Sequence, residues 1–250
     1  MNVVRLIMVV QLTWRKGLNE FDSLELICQN PNARRSTIPA MARPLSPKLS
    51  APAIADAALA LVDKHGEFTI PALAKAMSVS PSSLYNHVTS KDDIIEMMRG
   101  RAMGEIQLPQ ADGDWVNTLR LIAKGYMRSY AKHPKLIPLF TAHTVRDRGT
   151  LRVYDHLAEA FATGGFDAVD SLAAITVLDS FVLGSALDAA APAQVWASTE
   201  ENSAALNTAL EAGLAVQDRA WKTFEYGLEI LLAGFKGQAS TAPQRAASRK

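Results

Sequence analysis

The segment from Thr69 to Val88 reads Thr-Ile-Pro-Ala-Leu-Ala-Lys-Ala-Met-Ser-Val-Ser-Pro-Ser-Ser-Leu-Tyr-Asn-His-Val, and its punctuation leaves the backbone few choices. Thr69 can N-cap a first helix, and Pro71 is tolerated in the opening turn because the amide that proline lacks would be unpaired there. Leu73 and Met77 fall on one face. Ala74 is small where a second helix must cross, and Val79 plugs the turn. Ser80 caps again, Pro81 takes the first helical position with its φ preset, and Leu84 points back to Leu73 and Val79. Two short helices joined by a turn follow, a helix-turn-helix. Its apolar residues are spent on one side, which leaves Ser82, Ser83, Tyr85, Asn86 and His87 on the other. Short hydrogen-bonding side chains and one aromatic are the types that reach phosphates and base edges from a helix in a major groove.

Further helices flank the motif. Ser90-Lys-Asp-Asp93 is a variant of the capping box, and Ile94, Ile95, Met98 and Ala102 carry the stripe of the helix it opens. Upstream, Ser50 to His65 reads as a helix with Ile54, Ala58, Leu61 and Val62 buried and Gly66 as its stop. Ala- and Leu-rich segments with three-and-four spacing continue to about Lys236, and no Asn-Gly or Asp-Gly turn separates alternating runs, so the class is all-α. At 250 residues the chain can bury a core and hold one large or two modest domains.

Four regions are expected. Residues 1–40 look foreign to the rest, an extension either disordered or not native, with Met41 as a natural start; the apolar run there is too short for a signal peptide or a membrane span. Residues 41–106 hold the helix-turn-helix. Residues 107–236 form a larger helical domain, with helices expected over about 114–132, 134–143, 150–163, 167–190 and 217–235. Residues 237–250, rich in Ser, Ala and Gln, read as a flexible tail.

Charge alone does not announce a nucleic-acid binder, because residues 41–106 carry seven Lys or Arg against seven Asp or Glu. Placement decides instead: Lys75, Lys91, Arg43 and Lys48 would flank the second helix of the motif, with Lys91 meeting phosphate. Cys28 is the single cysteine, which excludes an intrachain disulfide and suits a reducing cytoplasm. The five histidines form no metal-ligand spacing, so no metal and no cofactor are expected. No nucleophile elbow, P-loop or dinucleotide fingerprint is present, and the chain does not read as an enzyme.

In the larger domain Asp179 lies inside Ile-Thr-Val-Leu-Asp-Ser-Phe-Val-Leu, where an ionised carboxylate needs a partner: an arginine, a helix end, a dimer-related group or a ligand. Tyr126, Tyr130, Phe140, Tyr154 and Phe161 supply aromatic bulk, and some can wall a pocket with hydroxyl tips for orientation. Tyr130, Phe140, His143, Tyr154 and Asp179 are the candidate ligand contacts.

The segments Thr69, Leu73-Ala74, Val79-Ser80, Leu84-Tyr85-Asn-His87-Val88 and Ser90-Lys91 resemble the tetracycline-repressor (TetR) family at unbroken spacing. Ser78 stands where that family usually has glycine, and a left-handed backbone there costs a residue with a Cβ ~1 kcal/mol. The last helix, Phe224-Glu-Tyr-Gly227-Leu-Glu-Ile-Leu-Leu-Ala-Gly-Phe235, is similar to the family's closing helix, so the resemblance runs from about Ser50 to Phe235. It implies an all-α fold with an N-terminal three-helix DNA-binding domain followed by a larger helical ligand-binding and dimerisation domain. It also implies a cytoplasmic, ligand-responsive transcriptional regulator, a homodimeric repressor of a palindromic operator in double-stranded DNA, released by a small-molecule effector and needing no membrane. Thr69, Ser80, Ser82, Ser83, Tyr85, Asn86, His87 and Lys91 become the DNA-binding candidates, with Thr69, Tyr85, His87 and Lys91 on phosphates and Ser82, Ser83 and Asn86 facing bases. The stripe Trp221, Phe224, Leu228, Leu231, Leu232 and Phe235 is wider than one amphipathic face needs, and its period alone suits either an ordinary core helix of a monomer or a four-helix dimer seam in which Leu228 and Leu232 are buried and Glu229 faces outward. The tetracycline branch binds its effector through histidines and magnesium, which do not carry over onto Gln107, Phe140 and His143, so neither ligand is expected. The rival readings are an all-α enzyme and a helical interaction protein with a vestigial helix-turn-helix.

Overall fold

Capping side chains set where the first helices begin. Ser50, Thr69, Ser80 and Ser90 each accept a backbone N–H from three residues on, at 3.3, 3.2, 3.2 and 3.1 Å, and each such cap stabilises its helix by about 1 kcal/mol. The computed structural model describes residues 49–110 and 113–248. Helices run over α1 (Ala51–His65), α2 (Ile70–Ala76), α3 (Pro81–Tyr85), α4 (Lys91–Met103), α5 (Trp115–Lys132), α6 (Ile137–Phe140), α7 (Arg148–Thr163), α8 (Ala168–Asp188), α9 (Ala204–Leu214) and α10 (Arg219–Ser248), with a 3-10 turn at Pro134–Leu136 before α6. No strand occurs among the described residues. The extension 1–40, the start at Met41, Arg43, Lys48 and Cys28 lie outside them.

α1 lies along α4, and α2 and α3 close the space beneath them. Leu73 and Leu84 are fully buried there with Ile54, Val62, Ile94 and Met98, so the apolar side of the helix-turn-helix is closed by its own chain. Ser78 keeps the left-handed conformation, φ 55°, so the turn has the glycine geometry without the glycine and bears its cost. In α1, Ala55 and Leu59 are buried while Leu61 is half-buried, a small rotation of the expected stripe.

α4 continues past this unit and packs on α5, α6 and α7. The body beyond it is built by α5, α7, α8 and α10, which touch one another around Ile122, Tyr126, Phe161, Phe224 and Leu228. Phe161 meets Phe235 edge to face at 5.1 Å, tying α7 to α10.

Three expectations need correction. The stretch 134–143 is a 3-10 turn and a single α-helical turn, because Pro134 and Pro138 interrupt the backbone ladder. Between 190 and 217, where no helix is expected, lies α9, which buries none of its described side chains and therefore shows no clear stripe. Residues 237–248, read as a flexible tail, continue α10. Gly237 does not take the left-handed conformation that would stop the helix.

α8 is long and apolar enough to cross a membrane, with a mean hydropathy of 1.5. Yet it carries Asp179 near its middle, and its inner side packs on α5, α7 and α10. Its outer side, through Val169, Leu172, Thr176, Val177, Ser180, Gly184 and Leu187, is exposed and free of charge.

Candidate nucleic-acid interface and effector region

The nucleic-acid candidates cluster at the openings of three helices. On α3, Leu84 is buried while Ser82, Tyr85, Asn86 and His87 are exposed. Ser83 is half-buried, and the Ser80 hydroxyl lies 2.8 Å from both the Ser82 and the Ser83 hydroxyls. Ser80 and Ser83 are thus committed to starting the helix; Ser82 is exposed but shares its hydroxyl with Ser80, and Asn86, Tyr85 and His87 complete the exposed polar side. The exposed Thr69 hydroxyl accepts from Ala72 and keeps its own proton to donate, the arrangement a phosphate oxygen requires. Lys91 opens α4, exposed, with its Nζ 5.0 Å over the Phe68 ring. Next to it, the Asp93 carboxylate accepts from the Thr89 hydroxyl and from the Thr89 amide at 2.9 Å; these bonds hold its pKa below the ordinary value.

The ligand candidates separate into three environments. Asp179 is half-buried, and one of its oxygens accepts from the Tyr126 hydroxyl at 2.6 Å and from the Tyr154 hydroxyl at 2.8 Å. Its partners are therefore two phenols on α5 and α7, and none of the kinds expected from sequence. Burial pushes the tyrosine pKa values up, well above the ordinary value for Tyr126 and clearly for Tyr154, and the neighbouring charge of Asp179 adds to both. Tyr130 and Phe140 are buried core residues whose ring centroids lie 5.0 Å apart, not a pocket wall. His143 is half-buried with Nδ1 3.8 Å from an Asp92 oxygen, on the side facing α4.

A cavity of about 450 Å³ lies elsewhere, lined by Met127 and Ala131 of α5, Asp188 and Pro192 at the end of α8, and Arg219 and Trp221 of α10. Its size suits a small organic molecule. Its walls are mostly apolar, and Arg219 and Asp188 close a fork at 3.0 and 3.1 Å within it. None of the five ligand candidates lines this space.

Glu96 and Arg99 were missed by the sequence reading. They form an ion pair at 3.2 Å with side-chain exposures of 9% and 3%. An acidic and a basic residue three apart inside the stripe of Ile95, Met98 and Ala102 was the available signal.

These elements define a class by fold: an all-helical body carrying an exposed helix-turn-helix. Residues 108–239 match the tetracyclin repressor-like C-terminal domain, and the chain belongs to the tetracycline-repressor family. An HTH-type transcriptional regulator from Saccharopolyspora erythraea is 28% identical over 142 residues, 56% of this chain and 60% of that protein. The tetracycline repressor protein class D from Escherichia coli is 26% identical over 208 residues, 79% of this chain and 94% of that protein. The chain spans 60% and 53% of the first curated relatives it matches. Among solved structures, apo ActR from Streptomyces coelicolor superposes with a TM-score of 0.67 at 20% identity, over 79% of this chain and 99% of that one. BioQ with its double-stranded DNA operator gives 0.55 at 20% identity, over 75% and 98%. At these identities the likeness is one of fold.

Proposed function

We propose that this chain is a ligand-responsive transcriptional regulator, a repressor that grips a palindromic operator as a homodimer and releases it when a small molecule binds. Residues 41–106 serve as the DNA-binding unit and residues 107–236 as the effector and dimerisation unit. The observation that carries this reading is α3, whose apolar side is closed by Leu73 and Leu84 while Ser82, Tyr85, Asn86 and His87 are left exposed. The relatives are transcriptional regulators, and BioQ is known bound to its operator. By the same reasoning the protein works in the cytoplasm, where its DNA is.

A palindrome requires two recognition helices facing major grooves about 34 Å apart, and so a second copy. The uncharged outer side of α8, continued by the exposed Tyr226 and Ile230 of α10, is the surface that a second copy would cover. The expected seam residues Leu228 and Leu232 do not serve, since both are buried within their own chain. A ligand can shift DNA affinity only by preferring one arrangement of the two α3 helices, and α4, which touches both units, is the lever. The cavity beside Met127 and Trp221 offers such a ligand room.

The test is an electrophoretic shift of a palindromic fragment from the chain's own promoter. Binding should weaken by about a thousandfold or more between 50 and 200 mM salt and vanish in an Asn86→Ala/His87→Ala variant with unchanged circular dichroism. Absence of a shift, or one indifferent to DNA sequence, would leave the rival helical interaction protein as the better reading.

A further inference from the structure

The buried pair on α4 reaches beyond its own helix, and both members reach to the same stretch of backbone. Glu96 Oε2 accepts the amides of Arg146 at 2.7 Å and Asp147 at 3.0 Å, where α7 begins. Arg99 Nη2 donates to the carbonyls of Phe140 at 2.8 Å and His143 at 3.2 Å, where α6 ends. Residues 140–147 are thus held on α4 at both ends by one charge pair. The contact is close as well: a Cβ on Gly100 would fall 2.7 Å from the Asp147 carboxylate carbon, so α4 can approach α7 there only without a side chain. Desolvating two charges offsets most of their attraction, and an apolar pair of equal volume often stabilises as much. What this pair adds is four directional hydrogen bonds to the backbone of residues 140–147.

Arg99 also ends a packed series that begins at Asp179. The Tyr126 hydroxyl donates to Asp179; the Tyr126 and Tyr130 rings lie 5.0 Å apart, as do those of Tyr130 and Phe140; and the Arg99 guanidinium lies 4.8 Å over Phe140. The series crosses from α8 through α5 and α6 to α4. Its α5 members adjoin Met127, which lines the cavity. Among the described residues the hydrogen bonds, ion pair and ring contact of Glu96 and Arg99 go to each other and to Phe140, His143, Arg146 and Asp147, and none goes to the exposed side of α3 or the cavity lining, so their effect on DNA binding is exerted through position.

We propose that Glu96 and Arg99 are positioning residues that transmit the state of the Asp179–Tyr126–Tyr154 cluster to α4, and through α4 to the spacing of the recognition helices. The inference rests on the regulator reading above. Packed contiguity is not coupling, so the test measures coupling itself. The affinity of the full chain for a fragment of its own promoter is determined for the wild type, Asp179→Asn, Arg99→Met and the double variant. Asp179→Asn should change affinity about tenfold in the wild-type background and less than about twofold beside Arg99→Met, a coupling in the usual range for linked sites. If Arg99→Met fails to fold, Arg99→Lys takes its place: lysine keeps the charge next to Glu96, but a single ammonium lacks the planar fork that holds two carbonyls. A purely structural role would lower the thermal midpoint and leave the Asp179→Asn effect whole. Additive effects overturn the inference, and so does an Asp179→Asn variant that binds like the wild type. Wild-type protein that fails to bind the fragment overturns the regulator reading and this inference with it, whereas binding with additive effects overturns this inference alone.

Discussion

The outer sides of α3 and α8 are both exposed, and their chemistry is opposite. Beneath α3 the apolar residues Leu73 and Leu84 are sealed, and what faces outward is Ser82, Tyr85, Asn86 and His87, every one with a hydrogen-bonding tip. α8 buries Ile175, Leu178 and Val182 inward and still presents Val169 and Leu172 outward, 71% and 67% exposed. One surface is finished against water, so its partner must be a hydrophilic one that offers hydrogen bonds and charge. The other carries a second apolar side that the described residues leave uncovered, and contiguous exposure of that kind marks an interaction surface. A helix that is apolar all round is therefore informative only once the side its own fold uses is known.

The largest expected effect tests the α8 side of this contrast. Leu172→Glu should abolish the proposed dimer in sedimentation velocity and lower affinity for the proposed operator by about a hundredfold or more, because two half-sites could no longer be engaged together. A variant that still sediments as a dimer would break the comparison. Leu228→Ala sharpens it from inside: the residue is fully buried in its own chain, so the loss should be 2–5 kcal/mol of protomer stability by urea unfolding, with the association surface intact.

A smaller effect should appear at high pH. Tyr126, Tyr130 and Tyr154 have folded pKa values raised, foremost by burial. Their stabilising contribution is complete below the ordinary phenol value of about 10 and is lost as pH rises above it toward the folded values. Absorbance at the phenolate band should therefore show three of the five tyrosines ionising only as circular dichroism reports unfolding. Ionisation of all five in the folded protein would mean that the cluster around Asp179 is open to water.

On the α3 side, Lys91→Ala should weaken binding to all DNA sequences alike and flatten the salt slope by about one unit; an altered base preference with an unchanged slope would move Lys91 from phosphate to base. The smallest change is expected from Glu229→Lys. Its carboxylate forms a fork with Arg120 at 2.7 and 2.9 Å, and the pairing lowers its pKa. The outward position read from sequence is therefore not an idle one, but an exposed pair contributes about 1 kcal/mol or less, visible as a small drop in thermal midpoint.

The helix-turn-helix was legible because its determinants are local. Each cap acts within three residues, the stripe of each helix repeats within two turns, and the departure at Ser78 could be located before its φ was known. The five ligand candidates were less legible. Apolar and aromatic composition marked Tyr130, Phe140 and Asp179 as interior, yet nothing along the chain says whether an interior aromatic packs against another ring or borders a space. α9 was invisible for a related reason: a helix that buries nothing leaves no period to read.

The sequence by itself determined the helical class, the starts of the first four helices, the polar outward side of α3 and the need for a partner at Asp179, because capping, periodicity and the cost of a buried charge operate over a few residues. Only the tertiary structure decided that the partner is a pair of phenols, that the stripe of Leu228 and Leu232 is spent inside the chain, that α8 carries a face uncovered among the described residues, and that Glu96 and Arg99 clasp residues 140–147. Those outcomes depend on which surfaces meet across separations of 25 to 109 residues, and a helix period specifies that a side is apolar without specifying what will lie against it.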